Sequence, residues 1–204
     1  MTFLQPNEYD ISFFDGGKSN LTHNAGYHYY TRWPRINNDF VSHEESQGEF
    51  YRDLAFYLTK TFDLKGKGIL DVGCAKGFVV KDLRDFGVEA YGVDISQYAV
   101  DSSEEKVKPY LTCADARTYL KNYQDLEFDF LFTRWVLDYI PFNDLSSLVS
   151  EMNRISRQQV HIVWEDFLPE FCNKFSISEW VNQFDFKDGT IIVSRDNFNK
   201  QVIK

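Results

Sequence analysis

The chain has 204 residues, of which 43% are apolar and 17% aromatic, a composition that excludes a disordered polypeptide and can bury a core in one domain. A formal charge of −9 argues against a broad nucleic-acid-binding face, since phosphate backbones need a basic footprint. The three cysteines, without a C-x-x-C pair, suggest neither a disulfide framework nor zinc, and MTFLQPNEYD lacks a basic stretch ahead of an apolar core, so a cytoplasmic chain with no membrane span is expected.

In chain order, residues 13–33, FFDGGKSNLTHNAGYHYYTRW, interleave glycines with tyrosines, histidines and basic residues. Two readings stand at this point: a glycine loop that grips an anion, or a flap over a site built elsewhere. Ser42 and Glu45 have capping-box spacing, and Phe50, Leu54, Tyr57, Leu58 and Phe62 form an apolar stripe, which predicts one helix over residues 42–62. From residue 66 onward short apolar runs alternate with helical patterns, the signature of a parallel sheet wound with crossover helices. GILDV (68–72) is the first strand, followed by a helix over 76–86 that Gly87 ends. VEAYGVDI (88–95) is the second, with Ser96 placed to cap a short helix, and PYLTCAD (109–115) is the third. FDFLFT (128–133) is the fourth, apolar enough to be covered on both faces. Leu145, Leu148, Val149, Met152 and Ile155 then mark an amphipathic helix over 143–156, and QVHIVW (159–164) is the fifth strand, with His161 expected as a satisfied core residue. After Asp166 comes a loop and a helix that Ser176 caps, then FDFK and TIIVSRD, which read as a hairpin across Asp188 and Gly189.

The most specific feature is ILDVGCAKGFVV, residues 69–80, a strand that passes through a glycine turn into a helix. Gly73 and Gly77 let a ligand approach the backbone, and the first-turn amides are expected to face it. A dinucleotide site would want G-x-G-x-x-G. Here the turn reads G-x-A-x-G with Asp71 ahead of it, and that carboxylate opposes a phosphate and suits a cation.

On these residues the chain resembles the class I S-adenosylmethionine-dependent methyltransferases. In that family the D-x-G-x-G-x-G turn lies against the aminoacyl part of the cofactor, which implies that role for Asp71, Gly73, Cys74, Ala75 and Gly77. Alanine stands for the middle glycine, and its methyl fits if φ stays negative. The resemblance further implies that Asp94, closing the second strand, holds the ribose hydroxyls with Ile95 beside it at the cofactor, and that Asp115 in CADAR faces the adenine with Ala116 beside it. VLDYIP (136–141) is similar to the family's segment after the fourth strand. The hairpin ending agrees with the family's closing strands, the last of them antiparallel.

Methyl transfer from a sulfonium needs alignment and exclusion of water, and a base only where the acceptor is protonated. Thr133, Arg134 and Trp135 follow the fourth strand, where ligands of open α/β sheets bind. Thr133 and Arg134 are expected at the cofactor, Arg134 alternatively at an anionic acceptor group, and Trp135 in the methyl pocket. In the amino-terminal segment, similar to openings of some bacterial sugar and metabolite methyltransferases, Tyr27, Tyr30 and Arg32 are expected to wall the acceptor and His28 to act as base. No metal is expected, because the fourth strand ends in Thr133 rather than a carboxylate and Asp138 comes late.

The expectation is therefore an α/β, Rossmann-like, seven-stranded, mostly parallel sheet with an antiparallel closing hairpin and an N-terminal helical lid. Residues 1–62 would form the lid and lead-in helix and 63–204 the S-adenosylmethionine-binding domain, in a monomer or homodimer acting on a small-molecule oxygen or nitrogen. The alternatives are a protein or nucleic-acid methyltransferase, against which the absence of an N-P-P-Y-like motif counts, or a non-catalytic cofactor-binding regulator.

Overall fold

The computed structural model describes residues 5–10, 43–163, 172–194 and 197–198, with only the backbone described for 43–50. A 3-10 turn, Pro6–Glu8, comes first. Helix α1 (His43–Thr61) leads into β1 (Gly68–Val72), α2 (Phe78–Asp85), β2 (Glu89–Asp94), the short α3 (Gln97–Asp101) and β3 (Leu111–Cys113). Then follow the one-turn α4 (Ala116–Tyr119), β4 (Phe128–Arg134), α5 (Phe142–Ile155), β5 (Ser156–Val163), α6 (Ile177–Gln183) and β6 (Ile191–Ser194). The strands form one sheet in the order β3-β2-β1-β4-β5-β6, and every pairing is parallel.

The strand order explains the apolar runs in the sequence, since β1 and β4 lie at the centre and are covered on both faces. One face packs Ile69, Phe130, Phe132, Val160 and Ile162 against Tyr51, Leu54 and Leu58 of α1 and Val80 and Leu83 of α2. The opposite face packs Leu70, Val72, Val93 and Leu131 against α5, whose Leu145, Leu148, Val149, Met152 and Ile155 are all buried. Each such side chain contributes about 1.5–3 kcal/mol of burial, which holds the strand ends that carry the site in fixed register. Ser96 caps α3 by accepting from the Ala99 amide at 3.0 Å, and Ser176 with Glu179 forms a capping box on α6.

The closing hairpin does not form: among the described residues there are six strands, not seven, and none is antiparallel. Asp188 and Gly189 do turn the chain, with Gly189 at φ +83° and the Thr190 amide bonded to the Lys187 carbonyl. The arm before the turn is captured by α5 instead of by a strand. Asn153 accepts the Lys187 amide on Oδ1 at 3.1 Å and donates Nδ2 to the Asp185 carbonyl at 2.6 Å, while Lys187 Nζ reaches the Asn153 carbonyl at 3.0 Å. Phe184 and Phe186 meanwhile turn into an aromatic cluster with Trp180 and His161. Only Ile191–Ser194 stays extended, and because it returns through α6 it adds to β5 in parallel.

Candidate active site

The glycine turn between β1 and α2 is fastened to β2. The amides of Gly73 and Cys74 both donate to the Val93 carbonyl, at 2.7 and 3.2 Å, and the Ala75 amide donates to Asp94 Oδ2 at 2.7 Å. These donors face the neighbouring strand, so no anion cradle forms over residues 73–75. Gly73 has φ +80°, and a Cβ there would sit 2.0 Å from Val136 Cγ2, so the residue has no room for a side chain. Gly77, at φ +72°, caps α2, and its Cβ would meet Leu111 Cδ1 at 2.6 Å. Its role is close packing of the helix start, and it does not line the cavity. Ala75 stands at φ +49°, not in the negative range expected for it, a conformation that costs an L-residue about 1–2 kcal/mol.

Above this turn, across the carboxyl end of β1, opens a cavity of about 260 Å³. Its position matches the point where strand order reverses, β2 leaving β1 on one side and β4 on the other. On the β2 side, Asp94 is buried and accepts the Ala75 and Ser96 amides on its two oxygens, at 2.7 and 2.8 Å. Burial raises its pKa, against the lowering effect of those donors. With the Ile95 amide as a further donor, the carboxylate retains acceptor capacity for a ligand hydroxyl. Ile95, Ala116 and Asp115 also line this end. Asp115 caps α4, and both its oxygens are gripped by Arg117, at 2.5 Å from Nη2 and 2.9 Å from Nε, which holds it below the usual carboxylate range. Arg117 also reaches Asp144 of α5 at 2.6 Å.

On the β4 side, the Arg134 guanidinium lies 3.7 Å from the Trp135 ring centroid and 5.2 Å from that of Tyr51. Trp135 takes φ +59° and anchors its amide on the Ile162 carbonyl at 2.8 Å, which turns the chain out of β4. Between the two sides sits Asp71, only 3% exposed. Burial, then the charge of Asp94, push its carboxyl up to about 7, and Arg134 opposes the rise. Cys74 also lines the cavity, its thiol held neutral by burial and the nearby carboxylates.

The cavity thus gathers Asp71, Gly73, Cys74, Ala75, Asp94, Ile95, Asp115, Ala116, Arg134 and Trp135. Thr133 is not among its walls: it is wholly buried, and its hydroxyl meets His161 Nδ1 at 2.9 Å. His161 Nε2 meets Gln159 Oε1 at 2.9 Å, and burial lowers the imidazole to about 3, so it is a neutral structural link, as expected of a satisfied core histidine. Tyr27, His28, Tyr30 and Arg32 lie outside the described residues. Sequence reasoning missed Tyr9, Tyr51 and Arg117, which also line the cavity, and Asn173, which holds one wall by donating Nδ2 to the Ile140 carbonyl at 2.6 Å. Tyr51 falls in the helix expected over residues 42–62 but outside its apolar stripe, and Tyr9 only opens the amino-terminal pattern that resembles other methyltransferase openings.

Residues 70–164 match the model of a family described as a methyltransferase domain. A ubiquinone biosynthesis O-methyltransferase of Coxiella burnetii is 29% identical over 90 residues, which cover 42% of this chain and 38% of that protein. The chain therefore aligns with well under two thirds of that curated relative's length. Among solved structures, magnesium protoporphyrin IX methyltransferase from Synechocystis with bound S-adenosylmethionine shares the fold over 89% of this chain and 85% of that one, at a TM-score of 0.56 and 17% identity. A methyltransferase from Archaeoglobus fulgidus is 24% identical over 58% of this chain and 55% of its own, with a TM-score of 0.46. The Asp71 turn and Asp94 thus fall within the stretch, residues 70–164, that is similar to a methyltransferase domain, and the sheet around the switch-point cavity has the fold of the Synechocystis enzyme.

Proposed function

We propose that this chain transfers the methyl group of S-adenosylmethionine to an oxygen or nitrogen of a small molecule. The observation that carries the reading is the buried Asp71 beside a turn whose amides are spent on β2, because such a site offers a cation a partner and offers a phosphate none. The donor set fits the cofactor: Asp94 retains acceptor capacity for a ribose hydroxyl, Asp71 has it for an ammonium, and Arg134 carries the opposite charge for a carboxylate. When bound, S-adenosylmethionine supplies a methyl carbon activated by the positive sulfur.

The chain's own residues then have four tasks. Asp94 and Ile95 hold the ribose, Asp115 and Ala116 the adenine, and Asp71 with Gly73, Cys74, Ala75 and Arg134 the aminoacyl end. Gly77 and Thr133 act from behind, the first by seating α2 on Leu111 and the second through His161. Trp135 and Tyr51 exclude water at the methyl end. Residues 1–62 form the lid and lead-in helix and 63–204 the cofactor domain, with Tyr27, Tyr30 and Arg32 walling the acceptor and His28 taking its proton.

A small acceptor is favoured by the charge of −9, which repels nucleic acid, and the curated relative's name, an O-methyltransferase, favours oxygen. Protein or nucleic-acid methylation is the alternative within the same chemistry. Calorimetry with S-adenosylmethionine and S-adenosylhomocysteine, followed by labelled-methyl transfer to metabolite pools, tests the reading. Binding with transfer to a small molecule is the expected result. Failure to bind either ligand refutes it, and binding without transfer to any acceptor identifies a regulator instead.

A further inference from the structure

The short amino-terminal segment at residues 5–9 contributes Gln5, Pro6 and Tyr9 to the cavity wall. It is held there by specific bonds. The 3-10 turn Pro6–Glu8 is closed by a capping box in which the Glu8 carboxylate accepts the Gln5 amide at 2.6 Å. Its carboxyl end is latched to the tip of β2, where the Ser96 hydroxyl donates to the Tyr9 carbonyl. Ser96 is wholly buried and at the same time caps α3, so the latch point is rigid. The Tyr9 backbone is therefore fixed at the tip of β2. Its phenol is buried among Cys172, Asp94 and Arg117: burial raises its pKa most, then Cys172 and Asp94, while Arg117 opposes. Asp94 and Arg117 mark the ribose and adenine end.

We propose that Tyr9 is a cofactor-binding residue that covers the adenosine end of the site, its ring forming an aromatic wall for the adenine opposite Ile95 and Ala116. The inference rests on the methyltransferase reading. An aromatic face suits a purine because stacking needs no particular base edge, and its loss weakens binding through contact area alone.

The test is calorimetry on Tyr9→Ala and Tyr9→Phe with two probes, S-adenosylhomocysteine and methylthioadenosine, the second of which lacks the aminoacyl group. Thermal melts confirm that the variants fold. Tyr9→Ala is expected to weaken both probes by the same factor, about tenfold or more, as the loss of one base–aromatic stack predicts, while Tyr9→Phe retains wild-type affinity. The alanine variant should also release S-adenosylhomocysteine faster in a displacement experiment. Weakening of S-adenosylhomocysteine alone would place Tyr9 at the aminoacyl end and overturn the proposal, as would unchanged affinity for both. If the wild-type protein binds neither probe, it is the methyltransferase reading that fails, and the assignment of Tyr9 falls with it.

Discussion

Asp71 offers the sharpest quantitative test, because its ionisation is linked both to folding and to the charge of the ligand. In the folded chain its carboxyl is raised from 3.8 to about 7, chiefly by burial and next by Asp94, with Arg134 opposing. A carboxyl with a raised folded value is disfavoured as the anion, so its contribution to stability is greatest below about pH 4 and is lost as pH rises to about 7. Across those roughly three pH units the loss is on the order of 4 kcal/mol, an upper bound for a site that can admit water. A ligand ammonium beside Asp71 restores the anion, so affinity for S-adenosylhomocysteine should climb about tenfold per unit from pH 5 to 7 and level off above that. It should decline again above about pH 8, where an α-amino group loses its own proton. Calorimetry in buffers of different ionisation enthalpy should register proton release on binding below pH 7. Asp71→Asn should abolish that pH dependence, weaken binding at pH 7.5 by about 1.5–3 kcal/mol, and leave the ligand-free protein more stable than wild type at pH 8. An affinity that does not vary between pH 5 and 7, or an asparagine variant with the wild-type profile, would refute the assignment.

Asp94→Ala should weaken S-adenosylhomocysteine by about 1.5–3 kcal/mol and also lower the melting temperature without ligand, since the Ala75 and Ser96 amides lose their acceptors. Unchanged affinity in calorimetry would remove Asp94 from the ribose site. His161, lowered to about 3 by burial, contributes stability that is complete above about pH 6.5 and is lost as pH falls towards 3, about 2 kcal/mol of it by pH 5. Denaturant titrations at the two pH values measure that loss, and a folded-state imidazole titrating near 6.5 by NMR would contradict it.

The sheet is legible in the sequence because the central strands β1 and β4 are largely apolar and buried and α5 has a five-residue stripe, so periodicity and burial agree. Sequence and structure part where a local signal competes with a tertiary one. The apolar run predicts a third strand from residue 109, but Pro109 lies in a 3-10 turn, Lys108–Tyr110, and only Leu111–Cys113 pairs. Helix α2 starts at Phe78 rather than residue 76 because Gly77 is left-handed. Asp188 and Gly189 are a sound turn signal, yet Asn153 and the aromatic cluster supply better partners for residues 184–187 than a second strand does. At the site, Asp71 and Asp94 are visible because their chemistry is tied to a fixed distance from strand ends. Tyr9, Arg117 and Asn173 are not, because each acts through a contact with a distant part of the chain, and sequence spacing carries no trace of such contacts.

The strain in the site follows the same logic. Among the described residues four non-glycine residues have positive φ, and two of them, Ala75 and Trp135, line the cavity from the ends of the adjacent strands β1 and β4. Each left-handed residue costs about 1–2 kcal/mol, and each is held by a bond from its own amide, Ala75 to the Asp94 carboxylate and Trp135 to the Ile162 carbonyl. A hydrogen bond to a charged acceptor stabilises by about 1.5–3 kcal/mol and one to a carbonyl by about 1, so the two clamps offset the strain they hold. The cavity is therefore shaped before a ligand arrives, and Asp94 is what shapes the β2 side of it. If the same carboxylate also accepts the ribose hydroxyls, then binding and turn geometry are coupled through one side chain. The loss on removing Asp94 should then exceed the two hydroxyl contacts alone, by the cost of reordering Ala75.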